Sequence, residues 1–195
     1  MTTTTKPSRR QQILESLAYM LEEHKGARIT TARLAAEVGV SEAALYRHFP
    51  SKARMFESLI EFIEQSIFTR INIIVSQSSM EGDRVGQIIN LVLTFASRNP
   101  GISRILTGEA LTGEQDRLRL RVAQLFNRLE VQIKQVLREK AASENKPNFD
   151  AGMMANLMIN IIDGRLQQFV RSDFKRSPLE NWDAQWQLLH QLLED

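Results

Sequence analysis

At 195 residues with 43% hydrophobic side chains, the chain is long enough to bury a core, and its composition places it with folded rather than disordered proteins. It has no cysteine, which excludes disulfides, thiolate metal sites and a cysteine nucleophile and suits the cytosol. The net charge of +2 is spread unevenly: residues 1–54 carry nine Lys or Arg against five Glu, and residues 55–195 carry sixteen against eighteen acids, the asymmetry of a phosphate-facing module on a near-neutral body.

Residues 1–10 are polar and lack the apolar stretch of a signal peptide, and no run approaches the roughly 20 apolar residues of a membrane span. Apolar residues recur at steps of three and four without sustained alternation, so the chain is expected to be helical throughout. Its five prolines (Pro7, Pro50, Pro100, Pro147, Pro178) fall at interruptions of that pattern. The first helix is expected over 9–23, with Ile13, Leu17, Met20 and Leu21 as one stripe. Two short helices follow over 31–38 and 42–48, then a long one over 52–76. A polar stretch over 77–83, containing Gly82, separates this from a helix ending near Arg98, where Asn99-Pro100-Gly101 signals a turn. A shorter helix is expected over 102–111. Residues 115–140 carry the amphipathic stripe Leu118, Val122, Leu125, Leu129, Ile133, Val136 and Leu137. The last two helices are expected over 150–171 and 180–193.

The most informative stretch is 30–50. Thr30 or Thr31 can cap the first short helix, Gly39 offers the left-handed conformation that ends it, and Ser41 caps the second only two residues later. Two short helices joined so tightly must cross steeply, and Leu34, Ala35, Val38, Val40, Leu45 and Phe49 supply the apolar side that lets them do so. This is a helix-turn-helix pattern. With Leu45 and Phe49 facing inward, Glu42, Ala43, Tyr46 and Arg47 fall on the opposite side and His48 near the end. Ala43 and Ala44 suit thymine methyls, Tyr46, Arg47 and His48 suit phosphates, Thr31 and Ser41 can donate from helix starts, and Lys52 begins the next helix against the DNA backbone.

The run from Leu34 to Phe56, with Gly-Val-Ser, then Leu-Tyr-Arg-His-Phe-Pro-Ser-Lys and Met-Phe, resembles the signature of the TetR family of regulators. More narrowly, the segments 40–52, 58–64, 69–72, 98–101, 104–108, 114–118, 136–140 and 169–172 resemble the nucleoid occlusion branch of that family. The resemblance implies an all-α, TetR-like fold of about nine helices, with a three-helix DNA-binding domain over 1–54 and a helical dimerisation body over 55–195. It implies a homodimer on palindromic double-stranded DNA, associated with the nucleoid, that antagonises ring assembly by the division protein FtsZ. It further implies that the FtsZ C-terminal tail lies between the fourth and fifth helices, at Phe62, Arg70, Leu91, Thr94, Arg98 and Asn99. Phe62 and Arg70 are eight apart and Leu91, Thr94 and Arg98 follow i, i+3, i+7, so each set shares a helical face. Thr94 departs from the glycine of the family pattern, and its bulk narrows the groove. By spacing alone, Phe62 and Leu91 extend the apolar stripes of their helices and read as core.

His24, His48 and His190 form no metal-binding spacing, and no phosphate-binding glycine loop or nucleophile motif is present. No enzyme activity, cofactor, metal or small-molecule ligand is expected. Met153, Met154 and Met158, with Leu157, Ile161, Ile162, Leu166 and Phe169, read as core or dimer contact, or alternatively as the lining of a ligand cavity in a ligand-responsive repressor.

Overall fold

The computed structural model describes residues 8–23, 29–77 and 83–194. Among them are nine α-helices, one 3-10 turn and no strand. They are α1 (Arg9–Glu23), α2 (Thr31–Val38), α3 (Glu42–His48), α4 (Lys52–Gln77), α5 (Arg84–Arg98), α6 (Pro100–Leu106), α7 (Asp116–Ser143), α8 (Ala151–Arg171) and α9 (Trp182–Glu194). The all-helical expectation holds. His24 and Gly82 lie outside the described residues.

The head is α1 to α3, closed over Ile13, Leu17, Leu34, Leu45 and Phe49, all of them fully buried. The 26-residue α4 packs against α1, α5 and α7 and runs from the head into the body. In the body the α7 stripe read from the sequence is the buried face, from Leu118 to Leu137. It meets α8 through Met154, Ala155, Met158, Ile162 and Leu166, which are likewise buried.

The single helix expected over 102–111 is instead two pieces. Proline at the first position of a helix loses no hydrogen bond, so Pro100 starts α6 earlier. Gly108, at φ 77°, turns the chain left-handed and leaves Glu109–Leu111 as a separate 3-10 turn. The last helix begins at Trp182, after Pro178 and the left-handed Asn181 at φ 55°.

Two junctions fix the layout. Between α1 and α6 the backbones touch: a Cβ added at Gly101 would lie 2.1 Å from the Ala18 carbonyl oxygen. Beside it the Arg104 guanidinium, 6% exposed, donates to the Leu21 carbonyl at 2.8 Å, satisfying an acceptor that the end of α1 leaves open. At the other junction Asp83 caps α5, accepting from the Gly86 N–H at 2.8 Å with one oxygen and from the Trp186 indole N–H with the other. Replacing Asp83 by Ala removes the cap and leaves the half-buried indole unpaired, so chemical denaturation should report a loss of about 2 kcal/mol.

Candidate functional site

The helix-turn-helix is held by its caps. The Thr30 hydroxyl accepts from the Arg33 N–H, Gly39 takes φ 71° and ψ 40°, and the Ser41 hydroxyl accepts from the Ala44 N–H at 3.2 Å. The Val40 N–H reaches back to the Ala35 carbonyl at 2.9 Å and closes the turn. With Leu45 and Phe49 buried, α3 exposes Glu42, Ala43, Tyr46, Arg47 and His48, while Ala44 is half-buried. Tyr46 is 44% exposed, an aromatic ring standing on an otherwise polar face. Thr31 bridges the two helices: its hydroxyl donates to Glu42 at 2.7 Å and accepts from the Tyr46 hydroxyl at 3.4 Å.

Lys52 is engaged. Its ammonium pairs with Glu114 at 2.5 Å and lies 5.6 Å from the centre of the Phe56 ring. An ammonium has three donors, so the pair with Glu114 fixes Lys52 and leaves donors over for a phosphate. Two further pairs tie α4 to α7, Glu57 with Arg117 at 2.9 Å and Glu64 with Arg121 at 2.9 Å. The Glu64 hydrogen bond holds Arg121 above the ordinary guanidinium pKa. On the head side Arg10 lies over the Phe49 ring at 4.5 Å and donates to the Ser58 hydroxyl.

A second constellation lies where α4 meets α5. Phe62 is 50% exposed, not core as its spacing suggested, and its ring centre is 6.5 Å from that of Phe95. Leu91 and Thr94 are half-buried and Arg70 and Arg98 exposed. Among the described residues neither arginine has an ion-pair partner. Asn99 is the joint between α5 and α6, its amide donating to the Phe95 carbonyl at 2.7 Å, which leaves its side-chain oxygen for a partner. Phe62 thus lies beside α5, with Leu91, Thr94 and Arg98 on that helix and Arg70 two turns further along α4. Sequence reasoning missed Phe95, which is buried beneath Phe62, and Glu114, which sits 62 positions from Lys52.

Two family models match. Residues 14–59 match the bacterial regulatory proteins of the tetR family, and residues 81–194 match the SlmA-like tetracyclin repressor-like C-terminal domain. The chain is 57% identical over 189 residues to the nucleoid occlusion factor SlmA of Idiomarina loihiensis, covering 96% of each. It is 55% identical to that of Shewanella oneidensis over 196 residues and the whole of both chains. The chain belongs to the SlmA family of nucleoid occlusion factors. Both halves of the chain thus match models of TetR-type proteins, and the fold agrees. The fatty acid degradation regulator FadR from Bacillus halodurans superposes with a TM-score of 0.76 at 16% identity, covering 97% of this chain and 96% of its own. The MbdR regulator from Azoarcus sp. CIB gives 0.76 at 17%, covering 95% and 97%. Identities so low speak for the fold alone. No helix among the described residues is long and apolar enough to cross a membrane.

If α3 and the start of α4 meet DNA as the sequence leads one to expect, Tyr46→Ala or His48→Ala should weaken binding to a specific duplex by about 1–3 kcal/mol, and neutralising Lys52 should lower the salt slope by about one phosphate contact. Fluorescence anisotropy across a salt series measures both. Unchanged affinity and slope in all three variants would reduce α3 to scaffold.

Proposed function

We propose that the chain is a DNA-dependent inhibitor of cell division. As a homodimer it occupies palindromic chromosomal sites through Thr31, Ser41, Ala43, Ala44, Tyr46, Arg47, His48 and Lys52. From there it antagonises FtsZ assembly over the nucleoid by taking the FtsZ C-terminal tail between α4 and α5. No cofactor or small-molecule ligand enters this reading, and the protein works in the cytoplasm on the nucleoid.

The observation that carries it is the exposed Phe62 ring beside Phe95, on two helices that also carry the exposed Arg70 and Arg98, neither with an ion-pair partner among the described residues. An apolar anchor and two cations on one pair of helices fit a short segment with apolar side chains and carboxylates. Leu91, Thr94 and Asn99 complete the groove. Dimerisation is supported by Met153 and Leu157 on α8 and Leu188 and Leu192 on α9, apolar side chains between 38% and 66% exposed that a second copy would cover. Light scattering at micromolar concentration should therefore give about twice the 22.3 kDa chain mass.

The decisive experiment is sedimentation of FtsZ polymers in the presence of GTP, with the protein added alone or with duplexes carrying its binding site. The expected result is a loss of pelleted polymer that is larger with specific DNA than without. Equal polymer in all lanes would overturn the proposal.

A further inference from the structure

We infer that Glu42 determines sequence specificity, its carboxylate accepting a hydrogen bond from the N4 amino group of a cytosine in the major groove. The inference rests on α3 being the DNA-reading helix of a TetR-type head.

An acid on that helix requires a reason, because the surface it shares must approach a polyanion. Glu42 is the first residue of α3 and is exposed, and no cation pairs with it among the described residues. Arg47 and His48, the basic residues of the helix, lie in its last turn. A carboxylate facing a phosphate would be repelled. In the major groove, however, cytosine N4 offers an amino group for which a carboxylate is the matching acceptor.

The side chain is already aimed. Its Oε2 accepts from the Thr31 hydroxyl at 2.7 Å, and Thr31 in turn accepts from Tyr46, one helical turn beyond Glu42. Glu42 and Tyr46 therefore stand on one strip of α3, linked through α2. The second oxygen, Oε1, has no hydrogen-bond partner among the described residues, so an acceptor is held in place with capacity to spare. Holding the carboxylate before binding removes part of the ordering cost of making the contact. The Thr31 hydroxyl spends its one proton on Glu42, so the part of Thr31 in the DNA-binding set named above is that of a positioning residue.

The test is binding-site selection from a randomised duplex library with the full-length wild type, Glu42→Gln and Thr31→Val. Wild type should enrich a palindrome containing a C·G pair at one symmetry-related pair of positions under α3. Glutamine pairs with adenine through N6 and N7, so Glu42→Gln should lose the cytosine preference there by about tenfold or more, with or without a switch to A·T. Thr31→Val, which keeps the acid but unties it, should relax the cytosine preference at the same positions, whatever its effect on overall affinity. The competing role, in which Glu42 only steadies Thr31 and the start of α3, predicts weaker binding to every sequence and an identical selected palindrome. That result would overturn the inference while leaving the DNA-binding reading intact. A wild-type selection that yields no palindrome would overturn the reading on which it rests. Retained thermal melting of both variants shows that the head still folds.

Discussion

Charge reversal at Arg70 is expected to abolish FtsZ antagonism while leaving DNA affinity within about twofold, a change of roughly 0.4 kcal/mol. Arg70 is exposed in the C-terminal half of α4 and has no hydrogen-bond or ion-pair partner among the described residues, so Arg70→Glu should leave stability within about 0.5 kcal/mol. What it changes is the sign of the charge offered to a partner carboxylate, from attraction to repulsion. Arg70 lies eighteen residues beyond Lys52 along a continuous helix, about 27 Å at 1.5 Å per residue, which is far outside a Debye length of about 8 Å at physiological salt. Arg98→Glu should lose the FtsZ effect in the same way, with an added cost: Arg98 occupies the last turn of α5, where an acid opposes the helix dipole by up to about 1 kcal/mol. Arg70 is therefore the cleaner probe. Sedimentation of FtsZ and anisotropy on a DNA duplex, run on the same preparations, check both halves. If both variants keep full activity against FtsZ with DNA binding intact, the groove between α4 and α5 is not the FtsZ site.

The largest loss of stability is expected from Gly101→Ala. The added methyl would lie 2.1 Å from the Ala18 carbonyl oxygen and 2.9 Å from the Glu22 nitrogen. Both are backbone atoms of α1, so no side chain can rotate out of the way. Either α1 or α6 must move, and Arg104, buried beside them and bonded to the Leu21 carbonyl and to Glu109, would move with α6. Overpacking of this kind costs about 3 kcal/mol or more, equivalent to a fall of roughly 6–12 °C in Tm for a chain of this size. Calorimetry reads the result directly. A Tm within one or two degrees of wild type would mean that the two helices slide apart freely.

The head was legible in the sequence because its boundaries are set by local chemistry. Thr30, Gly39 and Ser41 act within three or four residues of where they stand, so a short window contains the whole cause. The α7 stripe was legible for a similar reason, one helix presenting one face to one core. Phe62 was not. Its neighbours Ile60, Ile63 and Ile67 are fully or almost fully buried, and a ring one position before Ile63 is rotated by about 100° off that face. Apolar spacing cannot tell the edge of a core stripe from a side chain left outside it. The Lys52–Glu114 pair joins residues 62 positions apart, a distance over which no local pattern operates. The break after α6 was missed because Gly108 is followed by Glu-Ala-Leu, good helix formers that the left-handed glycine nevertheless cuts off.

Because α4 is a single uninterrupted element of 26 residues, it behaves as a lever about 39 Å long. A tilt of about five degrees at the body end would swing the other end through roughly 3.4 Å, the rise of one base-pair step. The ion pairs from Glu57 and Glu64 to α7 are spaced along the lever and resist that swing. On the palindromic operator proposed above, a change in half-site spacing would become an angle at α4, and the angle a load on the α4–α7 seam. An operator lengthened by a single base pair at its centre would then act on this protein as a mechanical load, borne by ion pairs whose glutamates are largely buried and so only partly screened by salt.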